Sequence, residues 1–72
     1  MGATTDINAI KDLLIENNIS FKETRYFDKG MRSLIKALKI SDMELFDKIE
    51  SLLNLSVEMF YIDFIPGGFI IY

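Results

Sequence analysis

Residues 33–53 read SLIKALKISDMELFDKIESLL, and the fold turns on how this stretch is folded. The spacing predicts two short amphipathic helices joined through Ile40, Ser41 and Asp42. The later one has the clearer start: Ser41 can cap it, with Glu44 three positions on to close a capping box. Asp42 and Glu44 put negative charge at the positive end of the helix dipole. On a helical wheel Leu45, Phe46, Ile49, Leu52 and Leu53 share one face, and Glu44, Asp47, Lys48, Ser51 and Asn54 share the other. The earlier helix is expected over about Met31 to Lys39. Met31, Leu34, Ile35 and Leu38 form a narrow apolar stripe, beside a basic stripe of Lys29, Arg32, Lys36 and Lys39 at helical intervals. No carboxylate interrupts it.

Working outward, Thr4, Thr5 or Asp6 can cap a first helix that runs to about Asn17. Ile7, Ile10, Leu13 and Leu14 repeat at helical spacing, and Asn17-Asn18 suits a left-handed stop. From Ile19 to Phe27 the period changes to two. Ile19, Phe21 and Phe27 share a side with Glu23 and Arg25, while Ser20, Lys22, Thr24 and Tyr26 share the other, as in a half-buried strand. Asp28, Lys29 and Gly30 then turn the chain. Past Leu53, the run VEMFYIDFI from Val57 to Ile65 is rich in β-branched and aromatic residues and reads as a strand. Pro66, Gly67 and Gly68 turn it back, and Phe69 to Tyr72 return as the last strand.

The expected fold is therefore α+β, with three helices and a three-stranded antiparallel sheet in the order helix, strand, helix, helix, strand, strand. That order, together with LIKALKIS followed by DMELFDKI, resembles a winged helix-turn-helix domain. Leu34, Leu38, Ile40, Ser41 and Leu45 match that family's pattern, and the hairpin around Pro66-Gly67-Gly68 would be the wing. Ile35 stands where the family prefers a small residue, and Lys39 where it prefers glycine. The resemblance implies DNA binding through the third helix in the major groove. In this chain that helix would present Glu44, Asp47, Lys48 and Ser51 to the phosphates, so electrostatics argues against that docking mode.

Seventy-two residues make a single domain, spanning 1–72. Half are hydrophobic and 26% are charged, which favours folding over disorder. There is no cysteine and no histidine, which removes disulfides, thiolate metal sites and the commonest acid–base and nucleophilic groups. The pairs Asp42/Glu44 and Asp47/Glu50 read as solvated carboxylates, and Gly67-Gly68 as a turn without the rest of a phosphate-loop motif. No enzymatic activity, metal or cofactor is expected. Residues Met1 to Thr5 lack the marks of a signal peptide, and no apolar run nears the ~20 residues that cross a bilayer. The expectation is a cytoplasmic protein with no membrane contact.

The net charge of −3 is unevenly spread. Residues 1–21 carry −2, residues 22–39 carry +4 from six cations against two carboxylates, and residues 40–72 carry −5. Arg25, Lys29, Arg32, Lys36 and Lys39 are accordingly the candidate surface for a partner or for nucleic acid. The C-terminal ribbon is apolar on both faces, with Phe60, Ile62 and Phe64 on one and Val57, Met59 and Tyr61 on the other. Three helices would leave one sheet face uncovered, so Phe60, Tyr61, Phe64, Phe69 and Tyr72 are the candidate interface. The function expected is that of a small interaction, regulatory or inhibitory domain that binds another protein or a second copy as a homodimer. Nucleic-acid binding and transcriptional regulation through the basic helix form the second reading.

Overall fold

A computed structural model of the chain describes residues 5–72. The N-terminal segment 1–4, with Thr4 as a helix cap, lies outside the described residues. The elements run α1 (Ile7–Glu16), β1 (Lys22–Asp28), β2 (Ser33–Ile40), a 3-10 turn (Met43–Leu45), α2 (Phe46–Ser56), β3 (Ile62–Ile65) and β4 (Gly68–Ile71). The four strands form one antiparallel sheet in the order β1-β2-β4-β3. This corrects the expected three helices and three strands: the described residues hold two α-helices and four strands.

The difference lies in Ser33–Ile40, which is a strand. Leu34, Ile35 and Leu38 satisfy a helical period, but Leu38 and Ile40 also satisfy a period of two, and both are fully buried. A helix of this length is marginal on its own. Here the competing gain is large: β2 pairs with β1 along Ser33–Lys39 and with β4 along Leu38–Ile40. Tertiary pairing therefore overrides local spacing. Leu34, Leu38 and Ile40 lie on this strand, so the residues that suggested a helix-turn-helix do not occupy two helices.

Around β2 the local signals are simple. Asp6 caps α1, its Oδ1 accepting the Ala9 amide at 3.1 Å. Asn17 follows the helix, and Asn18 takes a φ of 56°, a conformation asparagine tolerates. Ahead of α2 the cap is Asp42, rather than Ser41: its Oδ1 accepts the Glu44 amide at 3.0 Å. That bond starts the 3-10 turn, which runs directly into α2.

Both helices pack on one face of the sheet. Ile10 and Leu14 of α1 and Ile49 and Leu53 of α2 meet Leu38, Ile40, Phe69 and Ile71, with Ile19 closing the end. Phe46 of α2 stands edge-on to Phe69, centroids 5.4 Å apart, and tilted against Phe64 at 5.1 Å. No helix among the described residues is long and apolar enough to cross a membrane.

The β3–β4 hairpin closes through Pro66 and Gly67, with Gly67 at φ 79°. Proline followed by a positive-φ glycine is the pattern of a type II turn. Gly68 is constrained differently. A Cβ there would run into the Ile40 carbonyl oxygen and crowd the Ser41 Cα, all backbone atoms. Only glycine lets β4 enter the sheet against β2 at this point.

Gly68→Ala is therefore expected to destabilise the fold by about 2 kcal/mol or more, since backbone must move. Urea denaturation checks this against Asn54→Ala on the exposed face of α2; equal midpoints for the two variants would contradict the close approach.

Candidate interaction surface

The β1–β2 hairpin collects the basic residues. Six of the chain's eight cations fall between Lys22 and Lys39. Its ladder sets Arg25 opposite Lys36 and Lys22 opposite Lys39. Strand alternation sends Arg25 and Lys36 to the helix side and Lys22 and Lys39 to the outer side. Lys29 and Arg32 sit in the turn, where Asp28 Oδ1 accepts the Gly30 amide at 2.9 Å and Arg32 takes a φ of 53°. The five cations singled out by sequence therefore lie on one hairpin, not along a helix.

Like charges directly opposite each other in a sheet destabilise it. Here two such pairs occur in one ladder. The single ion pair among the described residues is elsewhere, between Lys11 Nζ and Glu23 Oε1 at 3.0 Å. It ties α1 to the root of the hairpin and is exposed, so it contributes at most about 1 kcal/mol. Beyond that row α1 no longer covers the hairpin. Phe27 and Leu34 are cross-strand partners on the helix side, yet they are 53% and 60% exposed. Met31 in the turn is 65% exposed. The distal hairpin is thus an apolar cluster framed by Arg25 and Lys36 behind and Lys29 and Arg32 ahead. The exposed role of Phe27, Leu34 and Met31 was missed in the sequence, where Met31 and Leu34 read as helix core.

The five aromatic residues expected to form one interface are divided by the fold. Phe69 is fully buried in the core, and Phe60 packs half-buried against it. Phe64 is 57% exposed on the helix side, beside Phe46. Tyr61 and Tyr72 lie on the outer side, where a structure not foreseen from sequence covers the sheet. Tyr26 stacks on Tyr72 with centroids 4.0 Å apart and planes 13° apart, and Tyr61 stacks on Tyr72 at 5.5 Å and 24°. The three rings cross the sheet from β1 to β3 and roof Ala37, which is 1% exposed with no helix on its side. A small residue at 37 lets the rings close over β2.

The roof is pinned at its far end. Tyr26 Oη donates to Asp63 Oδ2 at 2.8 Å, joining one edge strand to the other. Tyr72 and Asp63 beside the phenol push the Tyr26 pKa well above the ordinary tyrosine value. The neutral phenol is the form the fold prefers. Its stabilising effect is full below about pH 10, where an unfolded tyrosine begins to ionise, and is lost as pH rises through the elevated value.

No protein family model, no curated protein and no solved structure matches the chain.

Reversing one member of the inner like-charge pair should strengthen the fold. Lys36→Glu sets a carboxylate opposite Arg25 and is expected to add roughly 0.5–1 kcal/mol, raising Tm by about 3–6 °C. The gain should shrink as salt is added. Calorimetry at two ionic strengths checks it; a lower Tm at low salt would contradict the pairing.

Proposed function

We propose that this domain is a small non-enzymatic interaction module that docks its distal β1–β2 hairpin onto an acidic surface of a partner protein. The observation that carries the reading is the pairing of Arg25 with Lys36 behind the exposed Phe27–Leu34 pair. Two opposed cations weaken the hairpin, and an exposed aromatic–aliphatic pair is unfavourable in water. Both features become favourable together when an acidic surface with an apolar centre covers them. Apolar anchors ringed by charge are how protein interfaces concentrate their binding energy and their selectivity. A module of this kind regulates or inhibits by occupying its partner's surface.

Nucleic acid fits the same cations less well. Outside the hairpin, nine carboxylates face two cations, and a phosphate chain longer than the hairpin would meet that acidic body. The acidic stretch of the 3-10 turn and α2, with Glu44, Asp47 and Glu50, is the wrong sign for a groove-reading helix.

Capture on immobilised protein from an extract of cells that contain the partner tests the reading. Arg32→Glu with Lys36→Glu is expected to reduce capture at least about tenfold while leaving the circular dichroism spectrum unchanged, and Phe27→Ser with Leu34→Ser to do the same. Capture should survive nuclease treatment. Bound material lost on nuclease digestion would replace the protein reading with the nucleic-acid one, and capture indifferent to both double variants would overturn the hairpin.

A further inference from the structure

The root of the β1–β2 hairpin holds a second group of cations, apart from the distal end. Lys22 and Lys39 are ladder partners on the outer side of the sheet, which sets their Cβ atoms roughly 5 Å apart. Lys48, in the first turn of α2, joins them around an open cleft of about 490 Å³, walled by the α1–β1 link and the 3-10 turn. Among the described residues none of the three has a carboxylate within ion-pairing distance. The one acid lining the cleft is Asp42, whose Oδ1 accepts the Glu44 amide. β4 enters the sheet beside Ile40 and runs away from the cleft, and α1 reaches it only with its last turn. Thr5 and Tyr72 both line a different cleft, toward the other end of β2.

This arrangement runs against the chain's composition. Eleven carboxylates are available to eight cations, yet three lysines from three elements gather here around one acid. Lysines facing each other across a ladder weaken the sheet. Lys39 is also half-buried, so its stem is held against the outer face and desolvation adds to the repulsion. The helix ends leave the excess in place. The C-terminus of α1 borders the cleft with partial negative charge and the start of α2 with partial positive charge, so the two largely offset. An anion resolves the conflict. Lysine ammonium groups are compact and mobile enough to close on one tetrahedral oxyanion, and Ser20 and Ser41 add hydroxyl donors to the lining. A cleft of this size takes a phosphate with a small organic body. A phosphate chain would run on past Glu16 and Glu44, which adjoin the lining residues in sequence.

We propose that Lys22, Lys39 and Lys48 form a binding site for a phosphate dianion, free or as the head of a small phosphomonoester. The bound dianion neutralises the Lys22–Lys39 pair and ties β1, β2 and α2 together at one point.

The test titrates the isotope-labelled full chain with inorganic phosphate, phenyl phosphate and sulfate at low, constant ionic strength, followed by amide NMR. Phosphate is expected to bind with a Kd of a few millimolar or tighter at about pH 7.5, with shifts concentrated at residues 17–22, 39–42 and 45–48. At about pH 5, where phosphate loses its second charge, its binding should weaken several-fold, whereas sulfate, doubly charged throughout, should not weaken. Lys39→Gln and Lys48→Gln should each cut phosphate affinity at least about fivefold. Lys39→Gln should also raise Tm in phosphate-free buffer, because it removes the ladder repulsion. Phosphate should raise the Tm of the native chain more than that of this variant. Lys48→Gln, on the exposed side of α2, keeps the test decisive if the half-buried position disturbs the fold. Lys29→Gln with Arg32→Gln, in the distal turn, should leave phosphate binding unchanged. Phenyl phosphate bound at least about threefold tighter than phosphate assigns an ester, and equal affinity assigns the free ion. A Kd weaker than about 10 mM, shifts spread evenly over all the cations, or native affinity in the Lys39 and Lys48 variants would mean an adventitious ion only and overturn the site.

Discussion

The fold depends on the close contact of β2 with β4. β2 and β4 are the two inner strands, and their pairing joins the N-terminal β1–β2 hairpin to the C-terminal β3–β4 hairpin. At that seam Leu38 lies opposite Ile71 and Ile40 opposite Phe69, and all four are fully buried beneath the helices. Gly68 permits the approach, because its missing side chain leaves room for the Ile40 carbonyl. In so small a chain the core has little in reserve, so these few residues carry both the sheet order and the helix layer above it.

From that seam the two sheet faces diverge. The helix side is closed by Ile10, Leu14, Ile49 and Leu53, and the outer side by tyrosine rings stacked over a small residue. Neither cover extends to the far end of the β1–β2 hairpin. There the chain places Arg25, Lys29, Arg32 and Lys36 and leaves Phe27, Met31 and Leu34 in water. The body opposes this with an excess of carboxylates, so the molecule presents two regions of opposite sign. On the proposed reading, electrostatic attraction of an acidic partner toward the hairpin end would speed encounter and orient it.

Much of this architecture was legible in the sequence, and the part that was not has a physical reason. Ile10 and Leu14 in α1, Ile49 and Leu53 in α2, and the turn at Pro66-Gly67 were all marked by local spacing or turn chemistry. Their elements are set by nearby residues. SLIKALKI was misread because its period is ambiguous over eight residues, and the deciding contacts lie about 30 positions away, at Phe69 and Ile71. A usable signal was present: an alternating strand, then Lys29 to Arg32 with Gly30 inside, is a hairpin signature. The cations at 29, 32, 36 and 39 read as a helical stripe, whereas the structure distributes them, with Arg25, over the turn and both faces of the β1–β2 hairpin. The tyrosine roof left no local trace, since Tyr26 lies on β1 while Tyr61 precedes β3 and Tyr72 follows β4.

Residues 33–40 form a strand shared by two ladders, and the whole sheet order depends on it. Nuclear Overhauser spectroscopy reads this directly, through contacts between α-protons of facing residues in non-hydrogen-bonded pairs. Strong cross-strand signals are expected for Arg25 with Lys36, Glu23 with Leu38, and Lys39 with Ile70. Sequential amide–amide signals from Ser33 to Lys39, with helical Cα shifts and none of the three cross-strand contacts, would contradict it.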